Sequence, residues 1–155
     1  MSEFARTRNS YDGSEKSKRL YPPLPEPLEV GTYDNHTHLE IADGDEPISV
    51  VEHLEMMRQV NMLGAVQVGV TVESSKYSAE LADREPMLLA AVAIHPNEAP
   101  LYGSLKELDV AISEIADLAR LPRVRAVGET GLDYFRTEGE EALSMQQHSF
   151  EQHIA

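Results

Sequence analysis

From residue 32 to residue 155 the apolar positions alternate between a strand-like and a helix-like period. Residues 32–37 read as a β-strand. Residues 47–62 read as a helix, since Ile48, Val51, Leu54, Met57 or Arg58, and Met62 fall near helical spacing and Pro47 suits a first turn. A second strand is expected over 65–72, followed by a polar helical stretch over 73–84. Residues 87–94 are a continuous apolar run, the pattern of a strand buried on both faces. Residues 105–120 are helical again, with Leu105, Leu108, Ile112, Ile115 and Leu118 in one apolar stripe. Residues 124–129 make a fourth strand and residues 138–155 a fourth helix.

Strict alternation of four strands and four helices predicts an α/β fold, with parallel strands joined by right-handed crossovers. In such sheets the side chains that do chemistry gather at the carboxyl ends of the strands. The chain obeys that rule: His36 and His38 end the first strand, His95 follows the third and Glu129 ends the fourth. In Asp34-Asn35-His36-Thr37-His38 the two imidazoles stand at i and i+2, and alternate strand residues share a face, so both rings can reach one cation. Gly128 and Gly131 let the backbone turn tightly around Glu129, which sends its carboxylate toward the same mouth.

Each of these residues has a plainer reading. An isolated H-x-H is usually a pair of surface histidines, and an acid after a strand is usually a loop residue; here the strand context favours metal. His95 either satisfies backbone groups at the turn before Pro96 or faces a substrate phosphate. Asp34 and Asp133 are candidates for orienting ligands, and Arg136 for pairing with a phosphate oxygen. His53 has no motif around it. His148 and His153 are five apart on the last helix, a spacing that shares a face poorly, and are not assigned as ligands.

Composition narrows the classes. The 155 residues are 41% hydrophobic and 26% charged, which suits one domain, residues 32–155, preceded by a tail over 1–31 rich in Ser, Arg, Lys, Glu and Pro. Such a leader is expected to be disordered, with polyproline geometry around Pro22, Pro23, Pro25 and Pro27. Cysteine is absent, which excludes disulfides and sulfur-held zinc and fits the cytoplasm. The longest apolar run is far short of the roughly 20 residues of a membrane helix, so no membrane association is expected. The net charge of −14 argues against coating a nucleic acid, because the body repels phosphate; it leaves room for a nuclease whose local positive charge comes from metal ions.

The segments D-N-H-T-H-L, A-I-H-P-N, V-G-E-T-G-L-D-Y-F and Q-Q-H-S-F-E-Q-H-I-A resemble the TatD family of metal-dependent deoxyribonucleases over residues 33–155. The resemblance implies a TIM-type (β/α)₈ barrel and a divalent-metal hydrolase that cuts phosphodiester bonds of DNA. It implies that His36, His38 and Glu129 are metal ligands and that His95 lies near the substrate. One or two ions are expected: Mg²⁺ by family habit, Mn²⁺ or Zn²⁺ by the preference of imidazole. The family pattern continues with a histidine after the fifth strand, another after the sixth and an aspartate after the eighth, none of which is found in this sequence. An incomplete barrel is therefore expected, lacking the aspartate that would activate water, weak or inactive as it stands, and prone to self-association through an exposed sheet edge. A non-catalytic metal-binding or interaction fragment, and another phosphoesterase or amidohydrolase of the same scaffold, are the alternatives; the G-E-T-G-L-D segment favours the nuclease.

Overall fold

A computed structural model describes residues 7–8, 19–44 and 46–155. Two short strands, β1 (Thr7–Arg8) and β2 (Arg19–Leu20), pair antiparallel inside the leader; the rest of its first 18 residues lie outside the described ones, and with them most of the expected disordered tail. The main sheet has four strands, β3 (Thr32–Thr37), β4 (Met62–Val68), β5 (Leu88–Val92) and β6 (Val124–Val127), each beside its neighbour in sequence. Helices α1 (Val50–Gln59), α2 (Val72–Arg84) and α3 (Leu105–Leu118) connect them, and α4 (Glu140–Ile154) follows β6. The sheet is parallel and alternates with helices, as the two periods predicted. No helix among the described residues is long and apolar enough to cross a membrane.

The chain divides into two compact units. In the first, residues 1–33 and 38–63, α1 starts at Val50 and not at Pro47, because Ser49 and Glu52 form a capping box: the Ser49 hydroxyl accepts from Glu52 N–H and the Glu52 carboxylate accepts from Ser49 N–H. Leu54 and Met57 are its buried residues. Asn61, with a φ of 61°, turns the chain directly after the helix, so β4 begins three residues earlier than the apolar run suggested. The Asn61 side-chain amide donates to Leu28 O, and Leu28 N–H donates to Val60 O. The end of the proline-rich segment is thus tied down by backbone bonds its composition did not foretell.

In the second unit, residues 34–37 and 64–155, β5 is the core strand, with Leu88, Ala90 and Val92 fully buried. Helix α2 looks polar in sequence yet buries Ser75, Ser78, Ala79, Leu81 and Ala82. Small side chains let it come close to the sheet: Ser75 Oγ donates to Ala93 O and accepts from Ala93 N–H, both at 3.2 Å, and Ser78 Oγ meets the buried Gln67 amide at 3.4 Å. Gly69 belongs to the same approach, since a Cβ there would fall on the backbone of Ser75. Thr71 caps α2, so β4 stops at Val68, short of the expected 72. On α3 the buried face is Leu108, Ala111 and Ile115, while Leu105 is exposed at the first turn. Arg123, just before β6, donates to Ala82 O at 3.1 Å and Pro86 O at 2.9 Å, and also to Leu88 O. On β6 itself Val124 is buried and Arg125 to Val127 are exposed.

Candidate metal centre

The carboxyl ends of three strands meet at one carboxylate. Glu129 stands two residues past β6, and its Oε2 lies 3.4 Å from His36 Nε2, near the end of β3. Its Oε1 lies 3.5 Å from Nε2 of His95, three residues past β5. His38 follows β3 directly, two residues along the chain from His36, and ligand atoms of His36, His38 and Glu129 all lie within 4.8 Å of one another. His38 Nδ1 is also 3.9 Å from Glu40 Oε1. An ion with bonds of about 2.1 Å holds tetrahedral neighbours about 3.4 Å apart. The His36–Glu129 separation matches that spacing, and a donor set of two imidazoles and a carboxylate is one that binds divalent first-row metals. The residues fit an ion.

His95 has a different electronic arrangement. Its Nδ1 accepts the backbone N–H of Asn97 at 3.1 Å. In the neutral ring the proton therefore sits on Nε2, which lies 3.5 Å from Glu129 Oε1 beside the ligand group.

The two aspartates, candidates for orienting ligands, both bind backbone N–H groups. Asp34 Oδ1 accepts the backbone N–H of His36 at 3.0 Å, which fixes the main chain at the strand end. Asp133 is spent on its own loop: Oδ1 accepts from the N–H groups of Phe135 and Arg136, both at 2.9 Å, and Oδ2 accepts from Asn97 Nδ2 at 3.0 Å and Arg136 Nη1 at 3.2 Å. These donors, the Arg136 N–H foremost and the Asn97 amide next, bring its carboxyl down to about 2. Arg136 is thus paired within the protein, with its side chain 68% exposed.

Behind this loop lies a polar cluster that sequence reasoning missed. The buried Gln146 of α4 accepts from Asp133 N–H at 2.9 Å through Oε1 and donates through Nε2 to Thr137, whose hydroxyl reaches Asn97 Oδ1 at 3.3 Å. Nearby, His153 of α4 accepts the N–H of Ile94 at 3.1 Å through Nε2 and donates from Nδ1 to Ser149 O at 2.6 Å, and burial lowers its pKa. His148 points elsewhere and meets Asp109 Oδ1 at 2.6 Å. Neither histidine is in the group of His36, His38 and Glu129. The residues stand in the motifs, since Asn97 closes A-I-H-P-N and Gln146 opens the Q-Q-H segment, but nothing in the sequence pairs them.

Comparison with known proteins identifies the family. A model of the family "TatD related DNase" matches residues 33–155. Over 124 residues, 78% of this chain, the sequence is 32% identical to an uncharacterized metal-dependent hydrolase TatD of Mycobacterium tuberculosis, covering 45% of that protein. Over 95 residues, 57% of this chain, it is 35% identical to a protein named 3′-5′ ssDNA/RNA exonuclease TatD in Musicola paradisiaca, covering 34% of it. The crystal structure of YJJV, a TatD homologue from Escherichia coli K12, superposes with a TM-score of 0.58 at 26% identity, over 79% of this chain and 45% of that one. The chain thus spans about a third to a half of the length of these relatives. With the four parallel β/α units of such a barrel and residues 33–155 matched, the chain belongs to the TatD family of metal-dependent hydrolases.

Proposed function

We propose that the chain carries the first part of the catalytic rim of a divalent-metal-dependent nuclease that hydrolyses phosphodiester bonds of single-stranded nucleic acid. The observation that supports this most is the position of Glu129, 3.4 Å from His36 and 3.5 Å from His95, with His38 in the same ligand group. His36, His38 and Glu129 hold the ion, which when bound polarises a phosphate oxygen and lowers the pKa of a coordinated water. Zn²⁺ and Mn²⁺ suit two imidazoles better than Mg²⁺ does. The protonated Nε2 of His95 orients Glu129 and leaves the imidazole of His36 and the carboxylate to the metal. Arg136, held by Asp133, offers its remaining guanidinium donors to a phosphate oxygen. The name of the Musicola relative supports the choice of a single strand as substrate.

Metal binding tests this separately from turnover. In isothermal titration with Mn²⁺ and Zn²⁺, the wild-type chain should take up the ion, and His36→Ala and Glu129→Ala should each weaken binding at least tenfold. Equal affinity in all three would remove the assigned site. Release of nucleotides from a single-stranded oligodeoxynucleotide with Mn²⁺, absent in His36→Ala, would extend the reading to catalysis; metal uptake without release would support the non-catalytic alternative.

A further inference from the structure

Asn97 joins two rim loops inside the second unit. It lies two residues past His95 in the turn after β5, where Glu98 N–H and Ala99 N–H donate back to His95 O at 2.9 and 3.2 Å. Its side chain reaches the loop after β6: Nδ2 donates to Asp133 Oδ2 at 3.0 Å, and Oδ1 accepts from the Thr137 hydroxyl at 3.3 Å. The fully buried Gln146 of α4 closes the ring, accepting from Asp133 N–H at 2.9 Å and donating to Thr137. Every donor in this cycle faces an acceptor, so the Asn97 amide has one orientation; turned over, its oxygen would meet a carboxylate. The loop needs that anchor, because between Glu129 and Asp133 the chain passes Gly131 at a φ of 147°, a conformation open to glycine. The Asn97 backbone N–H meanwhile donates to His95 Nδ1 at 3.1 Å, which leaves the proton of the neutral ring on Nε2, 3.5 Å from Glu129 Oε1. The opposite tautomer would set a lone pair against the carboxylate and free one more ligand atom.

We propose that Asn97 is a positioning residue for the metal group: its main chain selects the tautomer of His95 while its side chain clamps the loop that carries Glu129, so that a ring proton and not a lone pair stands beside the ligand carboxylate. This rests on the reading of His36, His38 and Glu129 as ligands, and Asn97 acts on them through His95 and Asp133. Substitutions separate the two halves of the device. Asn97→Ala removes both side-chain bonds and keeps the backbone N–H. Asn97→Asp keeps the shape and the acceptor for Thr137 but sets a second carboxylate against Asp133. Exchanging the pair, Asn97→Asp together with Asp133→Asn, restores one donor and one acceptor between the two positions at unchanged net charge. The amide oxygen at position 133 still accepts from the N–H groups of Phe135 and Arg136, and the exchange gives up the carboxylate partner of the Arg136 guanidinium.

The test uses the full chain with ¹⁵N-labelled histidines, first without added metal at about pH 8.5, where imidazole is neutral. The ring nitrogens of His95, assigned by their loss in His95→Ala, report the tautomer. The wild type should show one form, protonated at Nε2. Asn97→Ala and Asn97→Asp should show both forms and bind Mn²⁺ about tenfold more weakly in isothermal titration, and the exchange variant should recover the single form and the affinity. The sign for Asn97→Asp is diagnostic: an added negative charge near the rim favours a cation, so weaker binding there reports geometry and not charge. Should that variant fail to fold, the contrast between Asn97→Ala and the exchange variant carries the same test. A single Nε2-protonated ring in Asn97→Ala would show that the turn made by Glu98 and Ala99 suffices, and would overturn the clamp. Mixed tautomers with unchanged Mn²⁺ affinity, or an exchange variant that recovers neither property, would overturn it as well. His36→Ala, titrated alongside, separates the two readings: if it loses Mn²⁺ while Asn97→Ala does not, the ligands stand and the clamp falls; if it binds as the wild type does, the ligand group falls and the clamp with it.

Discussion

At the scale of single residues, Asp133 connects folding to the site. One carboxylate accepts two backbone N–H groups, an amide and a guanidinium, and it does so only when ionised. Its pKa in the folded chain is about 2, below the usual carboxylate value of 3.8. The sign follows from linkage: a depressed folded value means stability that is present above 3.8 and lost as pH falls through about 2. Asp133→Asn keeps the shape, loses the charge and sets an amide donor against the donor of Asn97. The expected outcome is a lower melting temperature than wild type at pH 5, with the difference shrinking toward pH 2. Hydrogen exchange at the amides of Phe135 and Arg136 should accelerate in the variant. Unchanged exchange there would mean that the loop is held by Gln146 and Thr137 without the carboxylate.

At the scale of elements, the periods of the sequence were enough to order strands and helices, and the rim rule brought forward His36, His38 and Glu129, whose ligand atoms the fold places within 4.8 Å of one another. Local caps decided the boundaries, because Ser49 and Thr71 accept helix N–H groups: Ser49 starts α1 later than the apolar pattern suggests, and the cap at Thr71 goes with an earlier end to β4. The contacts that hold the rim in place were not legible, since Gln146 meets Asp133 across 13 residues, Asn97 meets Asp133 across 36 and His153 meets Ile94 across 59. No periodicity encodes such pairs. His153 shows what one of them does: its unprotonated Nε2 accepts from Ile94, the residue before His95, and so ties α4 to the end of β5. Protonation would set a donor against that N–H. Burial lowers its pKa below 6.5, so the stability it adds is present above 6.5 and lost as pH falls through the lower folded value. The melting temperature of the wild-type chain should therefore fall more between pH 7.5 and pH 5 than that of His153→Leu. His53, also lowered by burial, contributes equally to both chains and cancels in the comparison. Parallel curves for the two proteins would show that the bond to Ile94 does not depend on this ring.

At the scale of the whole molecule, charge and site pull in opposite directions. A net charge of −14 repels a polyphosphate, yet the proposed function places nucleic acid at the groove beside Glu129. The contradiction resolves if attraction is local, supplied by the bound cation and by Arg136. This separates the chain from proteins that grip nucleic acid with a basic surface, whose affinity falls by about 10³ or more between 50 and 200 mM salt. Two phosphate contacts on a single strand, one at the cation and one at Arg136, give a slope of about −1.4, or roughly a sevenfold loss over the same range. Binding of oligothymidylate in Mn²⁺ should accordingly weaken only about sevenfold when NaCl rises from 50 to 200 mM, and should vanish when EDTA removes the metal. The basic leader, with Arg6, Arg8, Lys16, Lys18 and Arg19, is the obvious competitor for this role. A steep salt dependence that survives EDTA and disappears when residues 1–19 are deleted would assign the attraction to the leader and not to the rim.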